Sequence, residues 1–107
     1  MPFYALEFAL AAIDQLATVE AKLRKRRKSL ADQVARAADS VALNVAEGSS
    51  RAGLDRIDLF RRADGSAREL TTALRIAHAR GYVSAGDLVT VEPLLDRVRA
   101  MLWRLTH

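Results

Sequence analysis

Six apolar residues late in the chain, Leu88, Val91, Leu95, Val98, Leu102 and Leu105, alternate three and four apart. On an α-helix that spacing holds them in one stripe, the seam of a coiled-coil-like contact. Such a helix is marginal alone, because its stability comes from burying the stripe against partners. The rest of the chain supplies three candidate partners, so the spacing constrains the whole fold.

The first partner spans residues 3–23, with Leu6, Leu10, Ile13, Leu16 and Leu23 at helical spacing. Phe8, Ala12 and Val19 extend its apolar character to a second face, which either widens the core stripe or packs on another subunit. The second covers 30–47 through Leu30, Val34, Ala38, Val41 and Val45, and Gly48 follows as the expected stop. The third covers 55–80 through Phe60, Ala63, Ala67, Leu70, Leu74 and Ala77, and Gly81 ends it. Ser29 with Asp32, and Ser84 with Asp87, have the spacing of capping boxes, and Asp55 suits an N-cap. Pro93 lies inside the fourth segment, 85–106, and cannot donate to the Val89 carbonyl. A kink, or a restart near Thr90, follows. Four amphipathic helices with short joints predict a single all-α domain over residues 1–107, an antiparallel up-down-up-down four-helix bundle.

Of the 107 residues, 50% are apolar, which supports one modest core. Oligomerisation is then a natural source of extra stability. There is no cysteine, so disulfides and thiolate chemistry are excluded. Acidic residues interrupt the apolar N-terminal stretch, so neither a membrane span nor a signal peptide is expected there, and the default location is the cytoplasm. His78 and His107 are the only histidines, and no carboxylate cluster has metal-ligand spacing. The acids Asp32, Asp39 and Glu47 point in diverging directions. The 48–53 joint has glycines but no following Lys-Ser/Thr, so it is no phosphate loop. The expectation is a non-enzyme without metal or cofactor.

Helix 2 carries a second pattern. Gln33, Ala37, Ser40, Asn44 and Glu47 fall within a band of about 80° beside the apolar stripe. Arg62, Ser66 and Glu69 form a matching flank on helix 3. Gly65 interrupts that helix at a cost of about 1 kcal/mol relative to alanine, which a close helix approach would justify. The two flanks can meet as a register-setting polar network, or line a groove through Asn44, Glu47, Arg62 and Glu69.

The run from Gln33 through Ser40, Asn44 and Glu47 to Gly48 resembles the central signature of a known family. So does Gly65-Ser-Ala-Arg-Glu69, followed by Gly81-Tyr-Val83. The family is that of four-helix bundle proteins named after reading frames within 23S ribosomal RNA intervening sequences, with relatives that are accessory proteins of diversity-generating retroelements. The resemblance implies a bundle assembled as a ring-like homopentamer, and no catalysis. For the retroelement branch it implies nucleic acid and a reverse transcriptase as partners of a basic surface. It implies a structural role for Gln33, Ser40, Asn44, Glu47, Gly48, Gly65, Ser66 and Glu69. The family's early tryptophan is absent, with Phe8 the candidate for its place.

A net charge of +4, mostly from arginine, makes local clustering more informative than the total. Lys22, Arg24, Lys25, Arg26, Arg27 and Lys28 put six basic residues in a stretch of seven. Such a joint either aids solubility or attracts phosphate with counterion release. No aromatic interleaves with it, so contact would be phosphate-led and nearly sequence-blind. A second basic group, Arg51, Arg56, Arg61 and Arg62, belongs to the opposite end of an antiparallel bundle. Trp103 and Met101 are expected at the edge of the core or at a subunit contact. The function expected is a non-enzymatic homo-oligomer that binds RNA or DNA weakly through basic loops. The alternative is an oligomeric protein-interaction scaffold with no nucleic-acid role.

Overall fold

A computed structural model describes residues 4–107. The described chain is helical, with α1 at Tyr4–Arg26, α2 at Lys28–Ser49, α3 at Gly53–Ala79, α4 at Ala85–Leu88 and α5 at Val91–Thr106. The expected start of helix 1 at Phe3 lies outside the described residues. Each long helix packs on its chain neighbour, and α5 closes the square against both α1 and α3. Cross-helix contacts give the directions. Ser40 meets Ser66 and Gln33 meets Glu69. Gln15 meets Thr90, and Phe8 meets Arg97. Rising numbers on one helix meet falling numbers on the other, so neighbours run antiparallel, in a bundle 42 × 22 × 19 Å across.

Helix 1 ends at Arg26 rather than near residue 23, and the expected loop over Lys22–Ser29 shrinks to Arg27. Lysine and arginine are good helix formers, and no glycine or proline breaks the run. Arg27 turns extended at φ −158°, while its N–H still bonds the Leu23 carbonyl at 2.7 Å. Cations in the last turn of α1 also suit the helix dipole. Helix 2 therefore starts at Lys28 and takes Ser29 into its first turn, so the expected Ser29–Asp32 capping box does not form. Asp32 accepts from Arg24 at 2.9 Å instead. Asp55 is likewise not the N-cap of α3. That position is Ala52, and Asp55 sits in the first turn.

Other expected signals appear as read. Ser84 and Asp87 form a reciprocal capping box on α4. Gly81, at φ 74°, lets Tyr82 N–H reach the Ala77 carbonyl and its own N–H reach that of His78, a Schellman stop. The fourth rod breaks at Val89–Thr90 and restarts at Val91. Pro93 then falls in the first turn of α5, where no intrahelical acceptor is waiting for an N–H.

The stripes of helices 2 and 3 are buried at every expected position, and so are Leu88, Val91, Leu95, Val98 and Leu102. Leu105 is exposed in the last turn of α5. Helix 1 differs. Its buried line is Ala5, Ala9, Ala12, Leu16, Val19 and Leu23, so Ala12 and Val19 belong to the core. Leu6 and Ile13 are half-buried, and Leu10 is 45% exposed. Small alanines face inward because Ala38, Ala42, Ala63, Ala67 and Ala73 also line the core and let the helices approach closely. Of the core side chains buried almost completely, Phe60 is the largest.

Gly48 does not stop α2, which continues through Ser49. It is buried, and a Cβ there would lie 2.6 Å from Cε1 of Phe60. The close approach expected at Gly65 is thus found at Gly48. A Cβ at Gly65 meets nothing within 4 Å, and nothing within one subunit explains this glycine. Gly65→Ala is therefore expected to raise stability by about 0.5–1 kcal/mol, read as a higher urea midpoint at unchanged slope.

Candidate nucleic-acid interface

The C-terminus of α1, the N-terminus of α2 and the α3–α4 turn come together at one end of the bundle. Lys22 Nζ meets Asp87 at 2.6 Å, and Arg26 lies 5.3 Å over the ring of Tyr82. These contacts bring Arg80, the C-cap of α3, to the same end as the basic run. The six expected cations then divide into two groups. Lys22 and Arg24 are held by Asp87 and Asp32. Lys25, Arg27 and Lys28 are exposed and have no carboxylate partner among the described residues, and Arg26 is on Tyr82. The aromatic partner was missed because Tyr82 is over fifty residues from the run. The shared end of joints 1–2 and 3–4 was the signal that could have found it.

The Lys22 ammonium and the Ser84 groups hold Asp87 at about 2, well below the ordinary 3.8. Its ionised form is favoured in the fold, so its contribution is present above about pH 4 and is lost as pH falls toward 2. Asp87→Asn is accordingly expected to flatten the fall in urea midpoint between pH 4 and 2 relative to wild type. Between α1 and α2, partial burial pushes Glu20 up, aided by the charge of Asp39 and opposed by Arg24.

At the opposite end, Arg51 donates to Glu47 at 2.6 Å, and that carboxylate pushes the guanidinium further above its ordinary value. Arg56 stacks 5.2 Å over Phe60. Arg62 pairs with Asp58 on its own helix. These three are committed within the subunit, unlike the first end. Trp103 is not at the core edge. It is 61% exposed and stacks on His107 at 4.4 Å.

The two polar flanks do meet. Ser40 and Ser66 hydroxyls lie 2.7 Å apart, and Gln33 Nε2 donates to Glu69 at 3.5 Å. Asn44 turns back to the Ser40 carbonyl at 2.9 Å. Glu47 and Arg62 do not join this network, so the expected groove through Asn44, Glu47, Arg62 and Glu69 is not assembled. Among the described residues no cluster of His, Asp or Glu could hold a metal. No helix among them is long and apolar enough to cross a membrane.

The profile of the 23S rRNA-intervening sequence protein family matches residues 5–104. The chain belongs to this family. A solved structure with the same fold is that of a protein of unknown function from the S23 ribosomal protein family of Bacteroides thetaiotaomicron VPI-5482. It has 18% identity and a TM-score of 0.78, over 95% of this chain and 94% of that one. Comparison with curated proteins gave no match. The description of the 23S rRNA-intervening sequence proteins names no enzyme class. In this 23S rRNA-intervening sequence protein some of the signature residues make contacts between helices. Gln33, Ser40, Ser66 and Glu69 tie α2 to α3, and Gly48 receives Phe60. Among the described residues Asn44 bonds only Ser40 on its own helix, Glu47 pairs with Arg51, and a Cβ at Gly65 meets nothing within 4 Å.

Proposed function

We propose that this protein is a non-enzymatic homo-oligomer that binds the phosphate backbone of RNA or DNA through its basic end. The observation that carries this reading is the division of charge at that end. Asp32 and Asp87 are occupied by Arg24 and Lys22, which leaves Lys25, Arg26, Arg27, Lys28 and Arg80 facing solvent without a carboxylate partner among the described residues. Cations in such a setting attract phosphate and release counterions when it binds. The uncapped N-terminus of α2 adds its positive dipole end to the same surface. Arg26 covers the face of the Tyr82 ring, so contact remains led by phosphate rather than by stacked bases. A ring of copies would repeat the surface, and avidity would raise a weak contact to a useful one. The protein acts in the cytoplasm in this reading.

The test is binding of a labelled structured RNA and a duplex DNA across a salt series, with particle mass recorded by light scattering. Affinity that falls steeply with salt, on an oligomer, is expected. An intact oligomer that binds neither probe at low salt sinks the nucleic-acid reading and leaves a protein scaffold.

A further inference from the structure

Two surfaces of the subunit are complementary in charge and spacing. The first is a groove between the start of α1 and the end of α5. Tyr4, Phe8 and Met101 give it an apolar floor, and Arg97, Ala100 and Arg104 run along one wall. Tyr4 is 60% exposed. Arg97 lies 5.0 Å over the Phe8 ring, which holds the guanidinium flat and leaves its N–H edge free. Neither arginine has a carboxylate partner among the described residues.

The second surface is the outer side of α1. Glu7, Leu10 and Asp14 are all exposed there, and the two acids form no ion pair among the described residues. The spacing of Leu10 places it in the core stripe, yet it is exposed.

The positions match. Arg97, Ala100 and Arg104 follow one another at three and four residues, and so do Glu7, Leu10 and Asp14. Each triplet falls within about 60° of its helix. In each, the outer pair is about 10.5 Å apart along the axis. A leucine flanked by two carboxylates on one copy would thus match an alanine flanked by two arginines on another. Leu10 would seat over Ala100, against Phe8 and Met101, with an arginine–carboxylate pair on either side.

We propose that the outer face of α1 from one copy docks in the α1–α5 groove of the next. The inference rests on the homo-oligomeric reading above and names its interface. On α1 the groove side and the acidic side are about 110° apart, so one copy offers both halves in different directions. The contact is therefore head-to-tail, the type that closes into a ring or propagates as a filament.

Light scattering on three charge variants tests this. Arg97→Glu/Arg104→Glu and Glu7→Arg/Asp14→Arg are each expected to lower the wild-type mass to that of a monomer. The altered side chains are exposed, so helicity by circular dichroism should be unchanged. The quadruple variant, with both charge sets exchanged, is expected to regain the wild-type mass. Dissociation without that recovery overturns the pairing. A wild-type oligomer whose mass neither double variant changes overturns this interface alone. A monomeric wild type overturns both the interface and the oligomeric reading, and leaves the groove to an acidic segment of another protein.

Discussion

Gly48→Ala is expected to destabilise the bundle by about 1–2 kcal/mol, although alanine is the better helix former. At an ordinary mid-helix position the exchange stabilises by about 1 kcal/mol. Here the new Cβ would lie 2.6 and 2.8 Å from two carbons of the Phe60 ring and 3.4 Å from Cβ of Leu59. Phe60 is 0% exposed, so its ring has nowhere to move without displacing α3 from α2. Overpacking of this kind typically costs about 1–3 kcal/mol, which outweighs the propensity gain. Thermal unfolding would show it, at about 4–8 °C per kcal/mol for a domain this size. Phe60→Leu tests the cause. Alone it should destabilise, but in the Gly48→Ala background its added cost should shrink, because the two changes share one contact. Additive effects would show that the clash is not the origin. Gly65→Ala, the same exchange at an exposed position of α3, supplies the contrast of opposite sign.

Lys25/Arg26/Arg27/Lys28→Ala is expected to remove most nucleic-acid affinity while leaving the bundle folded. If each side chain neutralises one phosphate, the logarithmic salt slope should fall by up to about 3.6 for duplex DNA. With that slope, the wild-type affinity should drop about a hundredfold between 50 and 200 mM salt. The variant should be nearly flat across the same range. All four side chains are exposed, and none is held in an ion pair among the described residues, so the loss of stability should stay within about 0.5 kcal/mol. Fluorescence anisotropy on labelled duplex DNA, with a melting curve on the same sample, checks both halves. A variant that keeps both its affinity and its salt slope would place any binding surface elsewhere.

The helices were legible wherever a segment faced neighbours on one side only. In α2 and α3, the stripes through Val34, Val41, Val45, Phe60, Leu70 and Leu74 are buried as spaced. Helix 1 misled because it is apolar on more than one side. Periodicity then favours large side chains, whereas the tight packing favoured Ala5, Ala9 and Ala12 and left Leu10 outside. The caps divide the same way. Ser84–Asp87 follows a chain break that Gly81 enforces locally. Ser29 and Asp55 stood near breaks whose position long-range packing shifted by a few residues.

The candidate interface shows the same division. That a dense basic run exists, and that it lies at a helix junction, follows from the chain alone. Which of its charges are available does not. Asp87 reaches Lys22 across sixty-five residues, and Tyr82 reaches Arg26 across the same end. The amino-acid sequence by itself determined four amphipathic rods, their order, and the polar flanks joining α2 to α3, because helical periodicity and glycine or serine signals act within a few residues. Only the tertiary structure decided which face of α1 is core, why position 48 is glycine, and which cations remain free. Those outcomes depend on side chains that meet only after the rods have packed.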